Sequence, residues 1–196
     1  MGRIGILVAA ACMGLGGWVL AQEWRQPEIR HPESFEEPVE WQRVDSRYCT
    51  IWLDPSVDAK KVNQKVKTWM IRPQVFRVHT ADTPEGQLAA KCDTIFRRAQ
   101  ELLDMYPAGV HVTLKVTPKQ HAIQSVHAAH YGVGTEAIAF YVFENNTIYA
   151  TAKDLSTSVL AHEMAHCIID HYFGIRPPRK VEEMLAMYVD AHLGES

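Results

Sequence analysis

The chain has 196 residues, 47% hydrophobic and 22% charged, with a net charge of -3. That length accommodates one domain with a real core. The near-neutral balance excludes the strong positive field expected of a nucleic-acid or anionic-surface binder. Ten histidines, the commonest metal-ligating side chain, raise the expectation of a metal site.

The N-terminus reads as a targeting segment. Arg3 is followed by an apolar run over residues 4–20, and Val19-Leu20-Ala21 ends in a small residue. This three-part pattern predicts a secretory signal over residues 1–21, cleaved after Ala21. Two other fates stay open: retention as an N-terminal anchor, or lipidation at Cys12 within Ala9-Ala10-Ala11-Cys12. Export implies a periplasmic or extracellular location, with membrane attachment only in those two cases. An oxidising compartment further predicts a Cys49–Cys92 disulfide, leaving Cys167 as a small buried apolar residue.

Residues 22–45 carry Pro27, Pro32, Pro38 and six glutamates, five of them from Glu28 to Glu40, without apolar periodicity. They read as a flexible lead-in, with the folded domain starting at residue 46. Residues 48–53 form a β-rich run. Asp54-Pro55 predicts a helix start, with Val57, Val62, Val66 and Trp69 near helical spacing, ended by Arg72-Pro73. Thr83-Pro84 starts a longer helix with Leu88, Cys92, Ile95, Phe96, Ala99, Leu102 and Leu103 on one face. Residues 110–116 alternate as a strand. Pro118 opens a short helix with His121, His127 and His130. Residues 137–143 and 147–151 form two strands around a Glu144-Asn145-Asn146 turn. Asp154 caps a helix over residues 155–172, with Gly174 just beyond it. After Pro177-Pro178 a last helix covers residues 179–192. Trp24, Trp41, Trp52 and Trp69 are expected to be packing residues.

The residues that carry chemistry are His162-Glu163-Met164-Ala165-His166. Four residues turn a helix by about 40° and advance it by ~6 Å, so both imidazoles leave one face and can share one Zn²⁺. Glu163 lies roughly 100° round the helix, suited to a water on the metal's open side. A catalytic zinc needs a third protein ligand and an open position. The helix after the double proline offers Glu182 and Glu183. Asp170 and Asp190 are of the right type to orient ligand imidazoles. His171 sits off the ligand stripe. Tyr131, Tyr149, Tyr172, His130 and His171 are of suitable type to stabilise an oxyanion, and the sequence does not choose among them.

The stretch Glu183-Met184-Leu185-Ala186-Met187-Tyr188-Val189, following His162-Glu163-Met164-Ala165-His166, resembles the glutamate-bearing segment of gluzincin-type zinc peptidases, with Met184 where glycine is usual. The resemblance is specific over residues 159–191. It implies an α+β, zincin-like fold with a small, mostly antiparallel sheet, an active-site helix and a following ligand-bearing helix. It further implies one Zn²⁺ per chain held by His162, His166 and Glu183, Glu182 as a more exposed neighbour, and Glu163 as general base. The implied activity is metal-activated hydrolysis of a peptide or protein substrate, aligned along residues 146–151. The chain after His166 lacks the extended glycine-histidine pattern of metzincins. Two rival readings stand beside this one: a non-catalytic zinc-binding envelope protein, and a zinc hydrolase acting on a non-peptide amide.

Overall fold

The computed structural model describes residues 40–71 and 82–195. The expected signal segment, Cys12, most of the lead-in and Arg72-Pro73 lie outside the described residues. The described chain is an α+β fold of a small mixed five-stranded sheet and five helices: β1 (Gln42–Asp45), β2 (Cys49–Leu53), α1 (Ala59–Lys65), α2 (Pro84–Leu103), β3 (Val112–Thr117), α3 (Gln120–Tyr131), β4 (Ala139–Val142), β5 (Thr147–Thr151), α4 (Thr157–Tyr172) and α5 (Arg179–His192). Among the described residues no helix is long and apolar enough to cross a membrane.

The strand order is β1-β2-β3-β5-β4. β1–β2 and β4–β5 pair antiparallel, β2–β3 and β3–β5 parallel. The expected mostly antiparallel sheet is therefore mixed. The cause is the connection from β2 to β3: α1 and α2 carry the chain back to the starting end, and a strand entered that way runs parallel to the one it left. The lead-in boundary also shifts. Residues 42–45, expected to be flexible, pair with β2 in the register Val44↔Ile51, and Asp45 accepts from Thr50 Oγ1 at 2.8 Å.

Cys49, Ile51 and Leu53 on β2, Val112, Leu114 and Val116 on β3, and Ile148 and Ala150 on β5 alternate onto one face, where α2 and α4 pack. The opposite face carries a smaller cluster of Ile123 from α3 with Phe140, Val142 and Tyr149. Thr83 caps α2, accepting from Gly86 N–H at 3.2 Å, and Pro84 occupies its first turn. Its buried stripe runs Leu88, Cys92, Ile95, Phe96 and Ala99. α1 starts at Ala59, capped by Asp58, because Asp54 instead closes a turn onto Ser56 N–H at 2.9 Å. Trp69 is 80% exposed, contrary to its expected packing role.

Cys49 and Cys92 carry free thiols rather than the expected disulfide, and both are buried. The two lie together between β2 and α2, and the Cys92 partner together with burial raises the Cys49 thiol pKa. Cys167 is buried as expected. Burial lifts its thiol to about 12, and it donates to Asn146 Oδ1 at 3.2 Å.

Candidate metal centre

α4 is apolar on nearly every side: Leu160, Ala161, Met164, Ala165, Cys167, Ile168 and Ile169 are buried against α2, α5 and the sheet. Its start is fixed by Ser156, whose hydroxyl accepts from Val159 N–H at 3.2 Å. Asp154, the expected cap, is held back by Thr151, whose Oγ1 donates to Asp154 Oδ2 at 2.8 Å. One side of this rigid helix is left for His162 and His166. Their rings are 4.9 Å apart at 75°, with the two Nε2 atoms 3.3 Å from each other.

α5 supplies the third donor. Glu183 Oε2 lies 3.5 Å from His162 Nε2, and Oε1 lies 3.8 Å from His166 Nε2. Tetrahedral N/O donors at ~2.0–2.1 Å from a zinc ion stand about 3.3–3.4 Å apart, so this trio fits one ion after shifts of a few tenths of an ångström. Among the described residues it is the one group of three or more such side chains able to hold a metal. Burial, followed by the neighbouring His162, holds His166 below the usual imidazole pKa. That favours the neutral form a metal needs.

Glu163 faces the same space. Its carboxyl is buried, which lifts its pKa to about 8. A hydrogen bond from the Tyr141 N–H opposes the rise, and Glu183 adds to it. Tyr141 belongs to β4, the sheet edge. Thr151 N–H donates to Ile138 O at 3.2 Å, and antiparallel alternation then turns the backbone groups of Ala139 and Tyr141 away from β5. The free edge beside the trio is therefore β4. The expected aligning strand over residues 146–151 is interior, between β3 and β4. The β4 edge opens into a cavity of about 630 Å³. His162, Glu163, His166 and Glu183 stand on one wall, and His127, Tyr131, Val133 and Thr135 are also part of its lining.

Beneath the trio, Glu182 and Glu183 exchange their expected exposures: the Glu182 side chain is 4% exposed and that of Glu183 41%. The reason is Arg176, which donates through Nε to Glu182 Oε1 at 2.7 Å and through Nη2 to Oε2 at 3.3 Å. Arg176 Nε is also 3.0 Å from Asp170 Oδ1. Its single N–H points at Glu182, however, so the buried Asp170 oxygens accept no hydrogen bond and the attraction is Coulombic. Burial raises Asp170 to about 6 against the opposing pull of Arg176. Asp170 thus belongs to an α4–α5 clamp rather than orienting a ligand imidazole. Asp190 is likewise engaged elsewhere, accepting from Ser158 Oγ.

His171 Nδ1 bonds to Cys167 O at 2.8 Å, away from the trio. His127 and Arg176, both in the cavity wall, carried no sequence signal beyond residue type. Arg176→Met is expected to cost about 2–3 kcal/mol of stability, less than the ~3–5 of a fully buried pair because the guanidinium is half-exposed. Urea unfolding at pH 7 measures this, and a loss under about 0.5 kcal/mol, the range of an ordinary surface substitution, would show that the clamp is idle. Comparison with protein-family models, curated proteins and solved structures finds no match to this chain.

Proposed function

We propose that the protein is a zinc-dependent peptidase of the gluzincin type, exported to the periplasm or beyond. The observation that carries this reading is the His162–His166–Glu183 donor set, spaced 3.3, 3.5 and 3.8 Å, with a buried carboxyl beside it at an open cleft. A closed structural site would use a fourth protein ligand and no adjacent base.

His162, His166 and Glu183 would hold the ion. A zinc ion supplies Lewis acidity for the scissile carbonyl and lowers the pKa of an attacking water. Glu163 takes the proton from that water as its oxygen bonds to the carbonyl carbon. It then delivers the proton to the amine as the C–N bond breaks. The Tyr141 N–H holds the Glu163 carboxylate in place. The outward backbone groups of Ala139, next along β4, have no strand partner among the described residues and suit pairing with an extended peptide. The cleft's free strand edge favours peptide over other amides.

The test is incubation of the zinc-loaded protein with a mixture of peptides, read by mass spectrometry. Cleavage that disappears with a chelator, returns with zinc and is missing from Glu163→Gln is expected. Stoichiometric, tight zinc with no cleavage of any peptide would favour the non-catalytic zinc-binding reading.

A further inference from the structure

The turn that joins the two metal-bearing helices is apolar where it meets solvent. α4 closes at Tyr172, with the Phe173 N–H bonded back to Ile169 O at 3.2 Å, and α5 opens with the Val181 N–H on Pro178 O at 2.7 Å. Between these ends Pro177 disfavours helical backbone at Arg176, and Arg176 is tied down onto Glu182 at 2.7 Å. The segment is therefore held open, and Ile175 projects from it 88% exposed. Tyr172 and Phe173, edge-on to each other at 5.2 Å, and Phe143, with the Arg176 guanidinium 5.6 Å from its ring, are exposed beside it. Large apolar side chains scattered singly over a surface need no account, but a group of them rimmed by charge marks a contact surface.

The rim is cationic. Residues 171–181 read His-Tyr-Phe-Gly-Ile-Arg-Pro-Pro-Arg-Lys-Val, with three cations and no acid. The acids that answer these cations lie on the inner side: Asp170 and Glu182 are buried against Arg176, and Glu183 stands 3.7 Å from Arg179 in the metal trio. Lys180 is exposed and pairs with no acid among the described residues. Glu144, next to Phe143, is an exposed acid at the rim. An aromatic and aliphatic tip ringed by Arg and Lys matches a bilayer interface: apolar groups enter among the acyl chains, aromatic rings lie at headgroup level and cations meet anionic headgroups. The net charge of -3 gives the whole chain no pull toward such a surface, but with a Debye length of about 10 Å only the charges near the contact count. A second copy fits less well, since a two-fold contact lays this patch on itself and sets cation against cation.

We propose that the α4–α5 turn is a membrane-docking surface, which inserts Phe173 and Ile175 into an anionic phospholipid bilayer with Arg179 and Lys180 on the headgroups. This is a route to a membrane through the folded domain, separate from residues 4–20 and Cys12. Arg176, Pro177 and Arg179 also line the cleft, so docking holds its mouth close to the lipid. The inference is independent of the metal and peptidase reading.

The test is hydrogen exchange of the full chain, resolved by segment, as vesicles are titrated in. Vesicles of mixed phosphatidylglycerol and phosphatidylcholine should slow exchange of the amides over residues 173–176 several-fold, and vesicles of phosphatidylcholine alone far less. In Ile175→Ser the lipid concentration for half-protection should rise roughly tenfold, and in Lys180→Gln about fivefold. Neither residue lines the cleft and both are exposed, so the urea midpoints of both variants should match wild type. Protection confined to residues 4–20, equal protection by the two vesicle types, or an equal lipid requirement in all three proteins would each overturn the assignment. So would protection of 173–176 that grows with protein concentration in the absence of lipid, the sign of a second copy.

Discussion

Glu183→Ala is expected to strip the protein of tightly bound zinc while leaving it folded. The wild type should bind one ion per chain, and the variant should bind it more than about 100-fold more weakly, since even partners that merely orient ligands cost 10–100-fold when removed. Glu183 is half-exposed and pairs with His162, His166 and Arg179, so truncation opens no cavity in the core. Glu182→Gln makes the decisive comparison. That residue is buried against Arg176, so its loss should lower the unfolding midpoint and move zinc affinity much less. Competition titration against a chromophoric chelator separates the two. Zinc affinity that falls in Glu182→Gln but not in Glu183→Ala would reassign the third ligand.

Glu163→Gln should produce opposite changes in activity and stability. Zinc stoichiometry should hold, while peptide turnover falls by about 10²–10⁴, the usual contribution of a general base. In chelator-treated protein the same change should stabilise the fold. The Glu163 pKa rises from 4.5 unfolded to about 8 folded. Its contribution is therefore fully favourable below 4.5 and is lost progressively up to pH 8. At pH 7 the buried carboxyl costs about 3 kcal/mol, at ~1.4 kcal/mol per pH unit above 4.5. Glutamine, with no charge to desolvate, avoids that cost. The stability gap between variant and wild type should be largest at pH 8 and close toward pH 4.5. A gap that widens as pH falls, or a variant less stable at pH 8, would contradict the environment assigned to Glu163.

The elements with strong local signals were readable from the chain. β5 and α5 begin and end where alternation and the double proline put them, and α2 starts at the Thr83-Pro84 cap. The errors arise where a distant partner decides. Gln42-Arg43-Val44-Asp45 has no strand pattern of its own and is extended because β2 offers it a ladder. Asp154 has the chemistry of a cap, but Thr151 claims it and Ser156 takes the role. Parallel pairing of β2 with β3 depends on how α1 and α2 return the chain, which no window of residues records. At the site, helical spacing brought out His162 and His166, and a local resemblance brought out Glu183. The burial of Glu182 follows from Arg176, six residues earlier across a turn. The place of His127 follows from a helix ending that happens to aim a carbonyl at it. Pattern reading has no access to either.

The β4 edge carries a consequence for solubility. An unpaired strand edge is a template on which another chain can stack, and long, flat edges invite aggregation. β4 is only four residues long, two of them facing outward, and the Tyr141 N–H is already taken by the Glu163 carboxyl. Too few groups remain to nucleate a second sheet. The brevity that would confine an incoming peptide to a few backbone bonds therefore also keeps two copies of the protein from zipping together along their edges.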